Sequence, residues 1–515
     1  MRRELVVVFL AAVLLYLPTA WYGYVQDDRA IVVSNPAAHS VGAALDAFDD
    51  PYWPRESGAG LYRPVTILSF AIDWTLSGGR PGWLHLMNAL WHGVVTVLFV
   101  LVLMRWLPTL AAAGAGLVFA WHPVHVEAVA SIVGRAELLA AAGILGAVLL
   151  ARRGSWLGAV VCAALAMFSK EHGVIAAVAI LIDHWLQGPE GRRYPPGLWL
   201  GLAIVTIGYL FAWWKIGVAG VSAPAAVFYG RDTFGRLAIA LPAVLRATLL
   251  LFLPISLSSD YSPQVIPAYS AVSLAAILGL LIVIAVPVLV MVSRRRAPAI
   301  SFAIAVAALS FLPTSNLLFA GGIVLAERNL YLAVAVPAAL LGTLMATLAQ
   351  LRTTHDERRT RVTVLIGSVI AVALALVTVL RLPSWRDNRT QLLTLLSGHP
   401  ESYIAHASAA AVLAGARDTA GAREQYRIAD SLFAGDPYLD AARAIFLANL
   451  GDTAGARPLV TRISARTEPA ARRMALRALF LFDLRRGDVA AARAVADSAR
   501  QGFPQDESWY HAYLQ

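Results

Sequence analysis

The sequence predicts an all-α membrane protein with many spans, followed by a small domain of helical repeats. Of its 515 residues, 58% are hydrophobic and only 14% are charged, and the mean hydropathy is +0.65. A soluble protein of this size carries roughly a quarter charged residues. Apolar runs recur as far as residue 381, and about 20 apolar residues cross the ~30 Å hydrocarbon core of a bilayer. These runs indicate a polytopic protein.

The apolar runs and the positions of arginine together predict about eleven spans. With the N-terminal "MRR" in the cytoplasm, alternation places the loops that contain "RRGS", "EGRRYPP", "SRRRAP" and "RTTHDERRTR" inside as well, which follows the positive-inside rule. The C-terminus then lies outside. The predicted spans are 4–20, 83–104, 108–121, 136–151, 156–168, 173–186, 197–214, 269–292, 298–313, 329–350 and 362–381.

One further apolar run, at 236–256, is not counted as a span. It contains Pro242 and Arg246, and counting it would place "SRRRAP" and "RTTHDERRTR" on the outside, against the positive-inside rule. We therefore predict an interfacial or re-entrant helix within a long outer loop.

The chain changes character near residue 390. Its C-terminal part is rich in alanine, has amphipathic helical spacing, and repeats "LGDTAGAR" as "RGDVAAAR". Pro437, Pro469 and Pro504 recur at roughly the 34-residue period of tetratricopeptide-type hairpins. The sequence thus predicts a transmembrane domain at 1–385 and a helical solenoid at 390–515; a generic helical bundle is the alternative for the second.

Composition excludes several functions. Because the net charge of +10 is distributed over short inner loops, it indicates membrane orientation and no nucleic-acid partner. The single cysteine, Cys162, excludes an intrachain disulfide and a thiolate metal cluster. His122 and His125 lie three residues apart with Pro123 between them, which does not match the helical His-Glu-x-x-His zinc pattern. We expect no bound metal or other cofactor.

Ionisable residues gather in the predicted outer loops. Asp27 and Asp28 follow the first span, His122, His125 and Arg135 share a second loop, Lys170 lies in a third, and Glu327 and Arg328 border a fourth. Such residues at span ends usually pair or face a cavity. Transfer of a sugar from a lipid phosphate needs a carboxylate to take the proton of an attacking hydroxyl, and cations to hold the departing phosphate. This set of residues suits that reaction.

Several longer motifs carry a resemblance to a known family. The segments "YVQDDRAIVVSNP", "YRPVTILSFAIDW", "HLMNALWHGVVTVLF", "HPVHVEAVASIVGRAELLAA", "SKEHGV", "LPTSNLLF", "AERNLYL" and "SWRDN", followed by helical repeats, resemble the transmembrane and tetratricopeptide-repeat O-mannosyltransferases and their bacterial relatives. That family consists of polytopic glycosyltransferases of the GT-C fold. The resemblance runs from about residue 20 to the end of the chain.

The resemblance implies a polyprenyl-phosphate sugar donor and an inverting transfer of a mannose-like hexose on the non-cytoplasmic face. It implies Asp27 or Asp28 as the catalytic carboxylate, with the first of the pair favoured, and Glu327 and Arg328 near the donor phosphate. The acceptor, a protein hydroxyl or a glycan or lipid of the envelope, stays open, and the repeats are candidates to hold it. Lys170 and Lys215 are the only lysines, a bias typical of GC-rich bacteria, so we expect a bacterial inner-membrane protein with periplasmic repeats.

Two other functions remain as alternatives. A multispan transporter or flippase also uses buried charges and re-entrant helices, but its ionisable residues are expected at mid-span, whereas these lie at outer span ends. An envelope scaffold that binds partners through its repeats would need one anchoring span and not many. The position of Asp27 relative to Arg328 distinguishes an outer site from a through-going cavity.

Overall fold

The computed structural model confirms an all-α polytopic membrane protein. It describes residues 2–53, 60–188, 193–217, 224–266, 273–350, 357–465 and 469–503, and within these ranges the regular structure is helical, with no β-strand. The N-terminal part contains α1 (Arg2–Tyr16), α2 (Val41–Asp46), α3 (Pro64–Ser77), α4 (Pro81–Leu103), α5 (Thr109–Trp121), α6 (His125–Ala130), α7 (Arg135–Arg153), α8 (Trp156–Ser169), α9 (Ile175–Gln187), α10 (Pro196–Ala212), α11 (Thr233–Phe252), α12 (Leu274–Ser293), α13 (Pro298–Phe311), α14 (Ala335–Gln350) and α15 (Glu357–Arg381).

Eight helical segments are long and apolar enough to cross a membrane, by length and composition, among the residues that the structure describes. All of them except Thr233–Phe252 coincide with predicted spans. The predicted spans at 108–121, 156–168 and 298–313 form shorter apolar helices, and the one at 173–186 forms the 13-residue α9. The loop residues 190–192 and 352–356, on which part of the orientation argument depends, lie outside the described residues.

The run predicted to be interfacial or re-entrant forms the continuous 20-residue helix α11, which is long enough to cross. Near its start, the Arg236 guanidinium donates to the Asn316 carbonyl at 2.9 Å, and near its end the Leu251 carbonyl pairs with His122 at 3.1 Å. Both partners belong to predicted outer loops. These contacts favour a helix with both ends at the outer side, and its placement in a membrane stays a prediction.

Small residues let the central helices pack closely. A Cβ atom on Gly143 of α7 would lie 2.6 Å from the Cys162 carbonyl oxygen of α8. Close approach through glycine and alanine is how helices associate in lipid, where apolar side chains gain little by leaving the hydrocarbon. The lone cysteine therefore occupies a packing position between two helices.

The C-terminal part forms the predicted helical hairpins. Asp418, Asp452 and Asp488 each precede the second helix of a hairpin, and their carboxylates accept the free backbone N–H groups of its first turn at 2.9, 2.9 and 3.1 Å. The aspartates of the repeated "LGDTAGAR" and "RGDVAAAR", and Asp418 in "ARDTAGAR", therefore act as helix caps. The last predicted repeat segment, 504–515, lies outside the described residues. The helices are α16 (Asn388–Gly398), α17 (Tyr403–Gly415), α18 (Thr419–Leu432), α19 (Pro437–Asn449), α20 (Thr453–Ser464), α21 (Pro469–Arg485) and α22 (Val489–Gly502).

The repeats dock on loops of the membrane domain. The Ser402 hydroxyl donates to the Asp260 carboxylate at 2.5 Å, and the Gln264 amide donates to the Leu432 carbonyl at 3.1 Å. Asp260 is also bonded by the Ser262 hydroxyl at 2.6 Å. This loop precedes α12 at its predicted outer end, so we expect the repeats on the same side as the acidic pair after the first span.

We expect labelling of introduced cysteines to report this arrangement. In a Cys162→Ala background, a membrane-impermeant maleimide should label Thr419→Cys in the repeats of intact cells. It should not label Ser155→Cys in the arginine-rich loop between α7 and α8, because basic loops stay inside. Permeabilised cells are the control and should label both exposed positions. Labelling at Ser155→Cys alone would contradict the predicted orientation.

The close approach of α7 and α8 predicts a stability difference between two glycine substitutions. Gly143→Ala introduces a methyl group against a backbone carbonyl, so we expect a loss of about 1–3 kcal/mol, as for overpacking. Gly208→Ala is the matched control because its Cβ would meet nothing within 4 Å, and alanine favours the helix. Thermal unfolding of both purified proteins in detergent measures the effect; equal midpoints would contradict the packing.

Candidate active site

The acidic pair lies in a tight turn that directs its two carboxylates apart. Gln26, just before the pair, has a φ of 48° in the left-handed region, which non-glycine residues seldom adopt. Asp28 is fully buried. Asp27 keeps 37% of its side chain exposed. Two adjacent carboxylates therefore have different surroundings.

Asp28 is held by donors from two parts of the chain. Its carboxylate accepts the backbone N–H of Val25 at 3.0 Å, that of Val133 at 2.9 Å and the Ser131 hydroxyl at 3.4 Å. Val133 and Ser131 lie between α6 and α7. Asp28 thus fixes the turn after the first span to the loop that carries "HPVHVEAVASIVGRAE".

The surroundings of Asp28 raise the pKa of its carboxyl group. Burial disfavours the charged form and raises the pKa of Asp28 to about 7, and the neighbouring Asp27 charge acts in the same direction. The backbone N–H groups of Val25 and Val133 oppose this rise in pKa. A raised pKa favours the neutral form of Asp28, which would reduce its repulsion of the Asp27 charge.

Arg328 faces Asp27 across the site. Its Nη1 atom lies 4.0 Å from Asp27 Oδ2 and 3.2 Å from Glu127 Oε1, and its side chain is 25% exposed. The backbone N–H of Arg328 also donates to Glu127 Oε2 at 3.0 Å. Glu127, which is buried, therefore holds both the backbone and the guanidinium of Arg328, and leaves part of the guanidinium open beside Asp27.

Lys170 lies next to these residues, but its ammonium group is already bound to other side chains. It forms an ion pair with Glu137, and its Nζ atom donates to Asn329 Oδ1 at 3.3 Å. His172 lies 3.6 Å from the same Glu137. The Lys170 side chain is only 7% exposed. Through Asn329, the predicted third loop reaches the residue directly after Arg328.

A second ion pair at this side was not singled out from the sequence. Arg63, just before α3, donates two hydrogen bonds to Glu171 at 2.9 and 2.8 Å, and its guanidinium lies 4.9 Å from the centre of the Tyr52 ring. Arg63 could have been noticed in the sequence because it lies in the "YRPV" motif, directly before the proline that starts an apolar helix.

Glu327 does not reach a free position beside Arg328. Its carboxylate is fully buried and accepts from Arg381 at 2.9 Å, from the Tyr261 hydroxyl at 2.7 Å and from the Ser258 backbone N–H at 2.7 Å. A carboxylate with three such donors is a structural anchor, and it repels phosphate. The geometry thus gives no support to phosphate contact by Glu327.

His122 and His125 are buried, and each uses one ring nitrogen on a backbone carbonyl. His122 Nε2 lies 3.1 Å from the Leu251 oxygen and His125 Nε2 lies 2.9 Å from the Tyr331 oxygen. Burial lowers the pKa of His122 to about 4 and that of His125 well below its usual value. Both rings are therefore neutral near pH 7 and supply no fixed positive charge for phosphate.

Arg135 is also turned inward. It is 1% exposed, forms an ion pair with Asp73, and donates to Asn88 Oδ1 at 2.7 Å and to the Leu84 carbonyl at 2.8 Å. These bonds tie α7 to α3 and α4. Spacing along the chain does not determine which partner a long side chain meets, so these contacts of Arg135 could not be predicted from the sequence.

No group of three or more His, Cys, Asp or Glu side chains among the described residues is arranged to hold a metal ion. The centres of the His122 and His125 rings are 6.3 Å apart. Asp27, Asp28, Glu127 and Arg328 are thus the groups that the structure brings together, with Lys170 adjacent.

The amino-acid sequence of the chain is similar to those of several named proteins. No family model matches the chain, and no solved structure matches it. The chain is 28% identical over 348 residues to "Protein O-mannosyl-transferase F38B6.6" of Caenorhabditis elegans, over 64% of this chain and 49% of that protein. It is 27% identical over 364 residues to "Protein O-mannosyl-transferase TMTC3" of Homo sapiens, over 61% of this chain and 39% of that protein.

A third relative covers more of the chain. "Protein O-mannosyl-transferase TMTC4" of Mus musculus is 28% identical over 474 residues, which are 78% of this chain and 63% of that protein. The chain therefore spans about half or less of the first two relatives and under two thirds of this one. Together with the motifs quoted above, these matches make the chain a relative of the transmembrane and tetratricopeptide-repeat O-mannosyltransferases.

Proposed function

We propose that this chain is a membrane glycosyltransferase that moves a mannose-like hexose from a polyprenyl-phosphate donor to a hydroxyl acceptor, with inversion. The observation that carries the proposal is the exposed Asp27 carboxylate 4.0 Å from the partly exposed Arg328 guanidinium. A base and a cation at one accessible place are the groups that this transfer needs. The names of the relatives support the same class of reaction.

Asp27 is the proposed base. It takes the proton of the acceptor hydroxyl as that oxygen forms a bond to the anomeric carbon, and the bond from this carbon to the phosphate oxygen breaks. Polyprenyl phosphate leaves with the electron pair of the broken bond. Because the phosphate is already a stable anion, no general acid is required. Asp28 is proposed as a positioning residue, since its carboxylate is buried among backbone donors.

Arg328 is the proposed contact for the donor phosphate. A guanidinium offers five N–H donors in a planar fork, and the bond to Glu127 engages one side of it. Fixed positive charge beside a departing phosphate stabilises the charge that develops in the transition state. Lys170 lies next to Arg328 through Asn329, but its charge is paired with Glu137, so its proposed role is to position this loop beside the phosphate.

The side of the membrane and the acceptor are also proposals. The basic inner loops and the docking of the repeats near Asp260 support a non-cytoplasmic site beside the repeats. The scarcity of lysine supports the inner membrane of a bacterium. Repeats on the side of the site are well placed to hold a protein or glycan acceptor. The Asp27–Arg328 contact at the ends of predicted spans supports a transferase over a transporter, whose charges are expected at mid-span.

We expect Asp27→Asn to lower turnover by about 10²–10⁴, because the carboxamide keeps the shape of the side chain but cannot accept the proton. The measurement is transfer of radiolabelled mannose from polyprenyl-phosphate mannose to a serine- and threonine-rich peptide by the purified protein. The thermal midpoint should stay at the parental value, since Asp27 is partly exposed.

Two further variants control this experiment. Asp46→Asn changes an exposed aspartate at the end of α2, between the first two predicted spans, and should transfer sugar at the parental rate. Asp28→Asn should lose stability, by about 1–3 kcal/mol, because its amide N–H₂ meets a backbone donor. Near-normal turnover of Asp27→Asn would remove the carboxylate from the mechanism.

We expect Arg328→Ala to raise the barrier to transfer by about 2–4 kcal/mol, comparable to the loss of an oxyanion-hole donor. The kcat/KM for the polyprenyl-phosphate donor measures this change. Arg389→Ala, which removes an exposed arginine at the start of the repeats, is the matched control and should retain the parental value. A folded Arg328→Ala protein with unchanged kcat/KM would show that another group holds the phosphate.

A further inference from the structure

The segment Arg381–Asn388, which joins the last span to the repeats, touches both sides of the site. At its start, Arg381 holds Glu327 at 2.9 Å, and Glu327 directly precedes Arg328. At its end, the Asn388 side-chain oxygen accepts the backbone N–H of Gln26 at 2.7 Å, and Gln26 directly precedes Asp27. One short piece of chain thus contacts the neighbours of both members of the proposed base–cation pair.

The turn before Asp27 needs such a contact. With φ at 48°, Gln26 has a left-handed backbone that costs free energy for a residue with a Cβ atom and persists only where the surroundings enforce it. Because the peptide units on both sides of Gln26 set the direction of the next side chain, relaxation of this turn would move the Asp27 carboxylate away from Arg328.

Two hydrogen bonds connect the turn to the segment Arg381–Asn388. Besides the bond from Gln26 to Asn388, the Gly23 N–H donates to the Arg386 carbonyl at 2.9 Å. The linker side is itself rigid at this point, because Asp387 caps α16 by accepting the Thr390 N–H at 2.8 Å, and Trp385 is 1% exposed. Asn388 is the first residue of that capped helix.

From these contacts we infer that Asn388 is a positioning residue, which holds Gln26 in its left-handed conformation and thereby directs Asp27 toward Arg328. The predicted effect on turnover rests on the proposed function. The predicted effect on the conformation of Gln26 rests only on its hydrogen bond to Asn388. This role of Asn388 makes the start of the repeat domain a part of the active-site framework. The start of α16 is therefore required for full turnover even with an acceptor that the repeats do not bind.

The test compares Asn388→Ala with Asn388→Asp. Alanine removes the oxygen that accepts the Gln26 N–H, whereas aspartate keeps an oxygen at that place and suits the first turn of a helix. We expect Asn388→Ala to lower kcat about fivefold or more, the equivalent of a lost hydrogen bond, with little change in the KM for polyprenyl-phosphate mannose. Asn388→Asp should restore kcat to near the parental value, and Arg389→Ala, the neighbouring exposed position, should leave it unchanged.

Hydrogen exchange gives a readout that does not depend on sugar transfer. Amide exchange in a peptide that includes residues 23–28 should become about fivefold faster in Asn388→Ala and stay at the parental rate in Asn388→Asp and Arg389→Ala. Parental kcat in Asn388→Ala, or equal loss in Asn388→Asp, would overturn the positioning role. Unchanged amide exchange in Asn388→Ala would show that Asn388 does not stabilise the turn at Gln26. Full sugar transfer by Asp27→Asn would instead contradict the proposed function.

Discussion

The burial of the Asp28 carboxylate is the constraint on which the candidate site depends. A buried carboxylate must be satisfied by donors, and those of Asp28 come from its own turn and from the segment between α6 and α7. This requirement fixes the loop after the first span to a loop more than a hundred residues away. Because the backbone reverses at Gln26, the adjacent Asp27 points the other way, toward Arg328.

Around this turn the membrane domain arranges charges in pairs. Arg135 pairs with Asp73, Arg63 with Glu171, Lys170 with Glu137, and Arg381 with Glu327. Uncompensated charge is costly at the ends of spans, and pairing removes most of that cost. Asp27 differs from these carboxylates because its nearest guanidinium atom, on Arg328, is 4.0 Å away and its own side chain is 37% exposed. Both members of this pair therefore keep part of their side chains accessible from outside the fold.

The repeats and the membrane domain share more than a covalent link. Ser402 and Leu432 meet the loop that contains Asp260 and Gln264, and that loop continues to Tyr261, which bonds Glu327. At the other side of the site, Asn388 bonds the turn before Asp27. The repeats are thus connected to each side of the proposed base–cation pair by short paths of hydrogen bonds. A domain that could serve only to bind a partner also supports the geometry of the site.

The all-α membrane class, the positions of most apolar helices and the helical repeats could be predicted from the amino-acid sequence, because hydrophobic length and repeated helical spacing are local properties. The family motifs also predicted that Asp27 and Arg328 belong to the same active site. Which ionisable side chains stay partly exposed becomes clear only from the folded molecule. Glu327, His122, His125 and Arg135 share loops with the site, yet each turns to a buried partner, and the partner comes from a distant segment such as Arg381, Leu251, Tyr331 or Asp73. Spacing along the chain places a residue at a membrane boundary, but the direction of its side chain depends on which distant groups need satisfying there.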